Sequence, residues 1–177
     1  YWGDLHGQSE ETIGSNSIED YFTFARDFGL LDIAAHQGND FQITDEFWKK
    51  INQTTRRFNK SGNFVTFPGY EWSGNTPLGG DRNVWFSTEG GSITRSSNEL
   101  LPGKKSTYPV SPTAKNLFQN LHKQTSPQPF VFAHVGGRYA DISIHDSKLE
   151  WAVEAHSAWG TFEWMIEDAL KYGYRVG

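Results

Sequence analysis

Strand-like and helix-like segments alternate along this chain from its first residues. Residues 1–8 and 30–36 have strand character, and residues 18–26 and 45–59 have helical character. Ser17 stands directly before the first helical segment, where its hydroxyl can cap the free backbone N–H groups. This alternation favours a largely parallel sheet that is covered by helices.

The rest of the chain continues the alternation around one long excursion over residues 89–112. Further strands and helices are predicted as follows: strands over 63–67, 82–87, 130–135 and 151–157, and helices over 112–124 and 161–172. The closed form of such an alternation is a barrel of the TIM type, which needs about 250 residues when complete. We therefore expect an α/β fold, namely a distorted TIM-like barrel that is incomplete in these 177 residues.

Both ends of the sequence bear on this expectation. The chain begins with Tyr1 rather than Met, and it stops at Gly177 within a predicted strand over 174–176. We interpret it as one domain over residues 1–177 that is truncated at its C-terminal end. A periplasmic or secreted location is open on this ground, and the sequence does not determine the oligomeric state.

The charge and hydropathy of the chain exclude two classes of partner. It has 16 basic and 21 acidic residues, a net charge of −5 and no basic run longer than a pair, so a nucleic-acid surface is not expected. Its mean hydropathy is −0.62, and no apolar stretch approaches the roughly 20 residues of a membrane span. We expect a soluble domain that acts on a small molecule.

Four of the six histidines stand at or near the carboxyl ends of predicted strands: His6, His36, His134 and His156. In parallel barrels this end of the strands holds the active site. One histidine in such a place is most often an ordinary hydrogen-bonded residue. Four in equivalent places favour a shared site.

The chain has no cysteine, so a metal ion would be held by imidazole, carboxylate or amide groups. Histidine and carboxylate together favour Zn, Mn or Fe, whereas a site made only of oxygen atoms would favour Mg or Ca. Glu71, just after Pro68 and Gly69, offers a carboxylate that can bridge two ions. These residue types predict a site for divalent metal ions.

The opening segment Gly3-Asp4-Leu5-His6-Gly7-Gln8 resembles the first motif of the PHP (polymerase and histidinol phosphatase) superfamily of metal-dependent hydrolases, and in particular its DUF3604 branch. Further segments resemble later motifs in the same order: Ile33-Ala34-Ala35-His36, Pro68-Gly69-Tyr70-Glu71-Trp72, Phe132-Ala133-His134 and Val153-Glu154-Ala155-His156. The resemblance implies a distorted barrel that holds two or three metal ions, which activate water, commonly for phosphoester hydrolysis.

Residue by residue, the resemblance implies a set of metal ligands. His6 would ligate the first ion, and Glu71 would bridge the first and second ions. His134 and His156 would complete the second site, and His36 would belong to a third.

The sequence departs from the family pattern near its beginning. Gln8 stands where the family usually has a second histidine, and its amide oxygen is a poorer ligand. The segment before His36 lacks the usual acid. These departures leave open an alternative in which the barrel has lost catalysis and serves as a binding or structural module.

Two arginines beside glycines are candidates for holding an anionic substrate. Arg82 follows Gly79 and Gly80, and Arg138 follows Gly136 and Gly137. A guanidinium group matches a phosphate or a carboxylate through two parallel hydrogen bonds. The alternative is that each arginine pairs with a nearby aspartate in a solvated loop.

We therefore expect a metal-dependent hydrolase that uses metal-activated water, with a phosphoester as the favoured substrate. The predicted catalytic residues are Glu71, Arg82 and Arg138, and the predicted metal ligands are His6, Gln8, His36, Glu71, His134 and His156. The predicted cofactors are two or three divalent ions of Zn, Mn or Fe.

Overall fold

The fold is given by a computed structural model that describes residues 1–175, so Val176 and Gly177 lie outside the described part. The strand predicted over 174–176 falls partly on these two residues. The described strands are β1 (Gly3–Gly7), β2 (Ile33–His36), β3 (Val65–Phe67), β4 (Gly69–Trp72), β5 (Arg82–Phe86), β6 (Pro129–Ala133), β7 (Glu150–Val153), β8 (His156–Ser157) and β9 (Gly160–Thr161). The α-helices are α1 (Ile18–Asp27), α2 (Asp45–Phe58), α3 (Ala114–Leu121) and α4 (Trp164–Lys171).

The strands form two small sheets and a hairpin. The first sheet is parallel and has the order β1-β2-β3. The second has the order β4-β5-β6-β7, in which β5 runs antiparallel to both of its neighbours and β7 runs parallel to β6. An isolated bridge from Asn39 to Glu71 joins the chain after β2 to β4.

The prediction of a TIM-like barrel is wrong. The strands over residues 1–175 do not close into a barrel, and the second sheet is mixed rather than parallel. The connection from β4 to β5 explains part of this difference. It contains only a short 3-10 turn, Thr76–Leu78. A parallel neighbour needs a crossover of a dozen or more residues, usually a helix, so this short connection returns the chain antiparallel.

The strand predicted over 151–157 also differs from the structure. β7 ends at Val153, and His156 instead begins β8 in the β8–β9 hairpin. Residues two apart along this segment therefore do not share one sheet face. Glu154, not His156, is the polar side chain at the end of β7.

Helices α1 and α2 form where the sequence predicts them, and side chains cap both. Ser17 accepts a hydrogen bond from the Asp20 N–H, and Thr44 accepts one from the Phe47 N–H. Each such cap stabilises a helix by about 1 kcal/mol. Acidic residues in the first turn of each helix also suit the helix dipole.

The main core lies between these helices and the strands. The Trp48 ring of α2 packs edge-on against Tyr70 of β4 at 5.7 Å and against Phe86 of β5 at 6.1 Å. All three side chains are almost fully buried. Burial of each large side chain contributes roughly 1.5–3 kcal/mol, so this contact fixes β4 and β5, whose polar residues build the site described below.

The long excursion is anchored to the segment that follows β2. The buried Asp40 carboxylate accepts hydrogen bonds from the backbone N–H groups of Ser73, at 2.7 Å, and Ser96, at 2.6 Å. Arg95 donates to the Asp45 carboxylate at 2.9 Å, at the start of α2.

None of the helices in the described part of the chain is long and apolar enough to cross a membrane.

Candidate metal centre

Polar side chains from several strands meet at one edge of the second sheet. Because β5 is antiparallel to β4 and β6, its amino end lies beside their carboxyl ends, and β7 ends at the same edge. The polar residues there are Glu71 near the end of β4, Asp81 and Asn83 at the start of β5, His134 after β6 and Glu154 after β7. Hydrogen bonds of Glu71 with Gly38 and Asp40, over the bridge at Asn39, bring the first sheet to this edge.

Three of the predicted ligands form a compact cluster: His6, Glu71 and His134. One ligand atom from each of them lies within 4.8 Å of the other two. Nε2 of His6 is 3.5 Å from Oε2 of Glu71, and the two imidazole rings stack with centroids 4.3 Å apart. Glu71 and His134 are buried, and His6 is half-buried. Two imidazoles and one carboxylate in this arrangement can hold a divalent ion.

A hydrogen-bonded pair of side chains fixes the His134 ring. Nδ1 of His134 is 2.5 Å from Oε2 of Glu154, whose other oxygen accepts a hydrogen bond from the Asn83 amide. A carboxylate is only an acceptor, so the proton of a neutral His134 ring lies on Nδ1. The lone pair is then on Nε2, as in metal sites where a carboxylate orients the ligating histidine.

The carboxyl groups of Asp81 and Glu71 are close enough to change each other's protonation. Burial, and then the negative charge of Glu71, raise the pKa of Asp81 to about 8. Burial alone would raise the pKa of Glu71, but its contact with His6 and the charge of His134 outweigh burial and lower it. For His6, burial works against protonation, and the hydrogen bond and charge of Glu71 overcome it and raise the pKa. The protonation states of these groups thus depend on one another, and a bound cation would favour their deprotonated forms.

Arg138 is the positive side chain beside these carboxylates. Its Nε lies 3.3 Å from the Asp81 carboxylate, and its guanidinium group comes within 4.0 Å of Oε1 of Glu71. The side chain is about one third exposed. Arg138 therefore reaches from the cluster toward solvent, where it can also meet an anion.

These residues line a cavity of about 400 Å³. Its polar lining includes His6, Gln8, Glu71, Asp81, His134 and Arg138. Nδ1 of His6 is buried and has no hydrogen-bond partner within residues 1–175. Buried polar atoms are nearly always paired in native proteins, so this nitrogen indicates that a further group belongs here.

Gln8 and His36 stand near the cluster, but their polar atoms are engaged elsewhere. The Gln8 amide donates to the Gln37 carbonyl at 2.9 Å and accepts from the Thr12 hydroxyl at 2.5 Å. Nδ1 of His36 accepts from the Gly38 N–H at 3.2 Å, and its Nε2 lies 2.9 Å from the Ser9 hydroxyl. Burial lowers the pKa of His36 to about 4, so the ring is neutral at pH 7.

The structure places His156 and Arg82 away from the cluster. His156 is exposed on the β8–β9 hairpin and does not line the cavity. Arg82 is fully buried, with its Nε 2.6 Å from the Glu150 carboxylate and with donated hydrogen bonds to the carbonyls of Gly79 and Asp141. Arg82 thus forms a buried ion pair that supports the fold, and it does not line the cavity.

Asp81, Asn83 and Glu154 were missed by sequence reasoning as members of the site. Glu154 carried the clearest signal, because it stands two residues before His156 in a segment already singled out. Asp81 directly precedes a predicted strand, yet only the antiparallel direction of β5 brings it to this edge. That direction was not evident from the alternation of segments.

The fold and the site define a mixed α/β protein with a histidine and carboxylate cluster at the edge of a sheet. The chain belongs to the family described as "Protein of unknown function (DUF3604)", which matches residues 1–136. That range includes the three cluster residues, His6, Glu71 and His134, and also Asp81 beside them.

Three chlamydial proteins, all described as uncharacterized, are similar to this chain. The protein of Chlamydia pneumoniae is 31% identical over 166 residues, that of Chlamydia muridarum is 30% identical over 165 residues, and that of Chlamydia trachomatis serovar D is 29% identical over 164 residues. Each match covers 92% of this chain and 25% of the relative. The chain thus spans about a quarter of the length of these relatives.

Proposed function

We propose that this chain binds a divalent metal ion at His6, Glu71 and His134 and is part of a hydrolase that acts on phosphoesters. The observation that carries the proposal is the convergence of three ligand atoms within 4.8 Å of one another, in a cavity that also contains Arg138. Three protein ligands that leave a position open are typical of catalytic rather than structural metal sites.

The residues fit such an ion. His6 has a buried nitrogen without a partner, and the carboxyl groups of Glu71 and Asp81 lie close together. Glu154 orients the His134 ring as carboxylates do in metal sites. The donor set favours Zn, Mn or Fe. Since both polar ends of Gln8 are used in hydrogen bonds, we propose one ion at this cluster; the second and third ions implied by the PHP resemblance remain predictions.

A divalent ion in this place would lower the pKa of a nearby water and stabilise negative charge on a phosphoryl oxygen. The residues of the chain supply the rest. Glu154 holds the His134 proton on Nδ1, and Arg138 pairs with the anionic group of the substrate. The Asp81 carboxyl group, which a bound cation would keep deprotonated, accepts a proton from the attacking water.

The proposed reaction is a hydrolysis without any redox change. The oxygen of water forms a bond to phosphorus, and the bond from phosphorus to the ester oxygen breaks. The proton taken by Asp81 is passed to the departing alcohol, and the second proton of the water stays on the oxygen now bound to phosphorus, so that the products are the alcohol and a phosphate with a new P–OH group. The resemblance of the motifs to those of the PHP superfamily supports this type of reaction.

Elemental analysis of the full-length protein tests the metal site. We expect Zn, Mn or Fe, with Glu71→Gln lowering occupancy strongly because it removes the charged ligand. His122→Ala is the matched control, since His122 pairs with Asp146 on the surface, away from the cavity. Equal metal loss in the two variants would contradict the site. A folded protein without metal would favour the alternative of a binding or structural module.

The reaction is tested with aryl phosphate monoesters and diesters, supplied with Mn²⁺ or Zn²⁺. We expect release of the aryl alcohol by the full-length protein and a loss of at least about 100-fold in His134→Ala, since this exceeds the usual effect of removing a group that only supports a ligand. His156→Ala should retain activity, because His156 is exposed outside the cavity. Activity that survives His134→Ala would contradict the proposed catalytic site.

A further inference from the structure

Trp159 is an exposed aromatic side chain at the mouth of the cavity that holds the cluster. It lies in the turn of the β8–β9 hairpin and is 73% exposed. Unlike the other exposed tryptophans, Trp2, Trp151 and Trp164, it lines this cavity, where its apolar surface favours contact with a bound group. Neither the ion nor the hydrolysis proposed above uses this side chain.

The hairpin turn holds Trp159 in a defined place. The Ser157 hydroxyl donates to the Val135 carbonyl at 2.5 Å and accepts from the Trp159 N–H at 3.1 Å. These bonds fasten the turn to the segment that follows β6. The position of Trp159 is thereby linked to the segment that carries His134.

Gly136, Gly137 and Arg138 connect the indole to the cluster. A methyl group added at Gly136 would lie 2.6 Å from Nε2 of His134, and one added at Gly137 would lie 3.4 Å from Cζ2 of Trp159. Arg138 then reaches the Asp81 carboxylate. Three consecutive residues thus place a ligating nitrogen, an aromatic surface and a guanidinium group beside one another.

Two further large apolar side chains, Ile13 and Phe41, line the cavity. Ile13 is 70% exposed, and the Phe41 ring lies 5.8 Å from the guanidinium carbon of Arg138. The cavity therefore has a polar base, a positive group at its side and apolar groups at its opening. A cavity that is polar and positive inside and apolar at its opening suits a molecule with an anionic head and a flat apolar body.

We propose that the substrate is an anionic ester whose alcohol part carries an aromatic ring, which stacks on Trp159 while Arg138 pairs with the anionic group. This inference rests on the proposed function and specifies its substrate class. Trp159 is a specificity-determining residue in this scheme. It selects the ring and takes no part in bond cleavage.

Binding of phosphonates tests the proposal without any turnover, because they lack an ester bond to phosphorus. Phenylphosphonate, cyclohexylphosphonate and methylphosphonate are titrated calorimetrically into the full-length protein loaded with Mn²⁺. We expect phenylphosphonate to bind about 2- to 12-fold more tightly than the other two, which is the range that an aromatic pair adds. Trp159→Ala should remove this preference, and Trp159→Phe should retain most of it.

Trp2→Ala is the matched control, because Trp2 is 78% exposed and does not line the cavity. Equal affinities for phenylphosphonate and methylphosphonate, or a preference that survives Trp159→Ala, would overturn the inference. Cyclohexylphosphonate binding as tightly as phenylphosphonate would overturn the aromatic requirement. A prior Mn²⁺ titration separates the two proposals: a protein that binds no Mn²⁺ contradicts the proposed function itself.

Discussion

The imidazole rings of His6 and His134 stack with their planes 13° apart and their centroids separated by 4.3 Å. His6 lies on β1 in the first sheet, whereas His134 follows β6 in the second. Residues 128 positions apart in the sequence therefore present two imidazole rings side by side. Glu71 contacts His6 and lies at the junction of the two sheets, which completes the cluster.

Gly136→Ala should weaken metal binding without removing a ligand. The added methyl group would lie 2.6 Å from Nε2 of His134. The ring cannot easily move away, because it is stacked on His6 and hydrogen-bonded to Glu154. We expect affinity for Mn²⁺ or Zn²⁺, measured by competition with a chelator, to fall at least about tenfold, by analogy with other perturbations of ligand orientation.

Gly137→Ala is the control for this substitution. Its methyl group would meet only the Trp159 ring, at an ordinary contact distance of 3.4 Å. Metal affinity should therefore stay at the wild-type level. Equal losses in the two variants would show that the effect comes from the backbone rather than from the ligand nitrogen.

Glu154→Gln tests whether the bond to Nδ1 supports His134 as a ligand. A glutamine oxygen can still accept from Nδ1, but it carries no charge and makes the ring less basic. We expect metal affinity to fall about 10- to 100-fold while the fold is retained. Circular dichroism and the chelator competition together measure both properties. Unchanged affinity would mean that His134 needs no such support.

Metal binding at pH 7 should release protons. In the metal-free site, burial and the charge of Glu71 raise the pKa of Asp81 to about 8, so this carboxyl group is mainly protonated at pH 7. A bound cation favours the charged form, and the proton leaves. The number released is measured from calorimetric enthalpies in buffers that differ in ionisation enthalpy. Asp81→Asn should release roughly one proton fewer, and an unchanged number would contradict the assignment.

Asp81→Asn should also stabilise the metal-free protein at high pH. The usual pKa of an aspartate is 3.8, and that of Asp81 in the folded chain is about 8. The folded state thus binds the extra proton, and this contribution to stability is lost as the pH rises from about 4 to 8. With EDTA present, the variant should melt about 2–4 °C above wild type at pH 8. At pH 4 the difference should disappear, and a constant difference would point to another cause.

The helices and the first three strands were accessible to sequence reasoning because their signals are local. Ser17 and Thr44 cap α1 and α2 as their residue types predict, and the periodicity of apolar residues is strong in both helices. The direction of β5 was not accessible in this way. It depends on the length and turn structure of the connection after β4, and such a connection gives no periodic signal.

The candidate site was predicted in part for the same reason. His6, Glu71 and His134 stand on or just after strands, and their convergence follows from where those strands end. The placement of His156 was wrong because β7 ends at Val153, four residues before the end of the predicted strand over 151–157. Arg82 was given an anion-binding role because it follows two glycines. Its buried partner, Glu150, is 68 positions away, and the sequence does not reveal this pair.

The bridge between Asn39 and Glu71 joins the two sheets beside the cluster, so metal binding should affect how firmly they are held together. His6 comes from the first sheet, and Glu71 and His134 come from the second, so an ion bound at the cluster would hold the two sheets together. If a chelator removed the ion, the junction of the two sheets at this point would be held by the backbone hydrogen bonds of Glu71 with Gly38 and Asp40, at 2.9 and 2.8 Å. The amide hydrogens of Asp40 and Glu71 should then exchange faster with solvent, while those in the middle of α2 keep their rate.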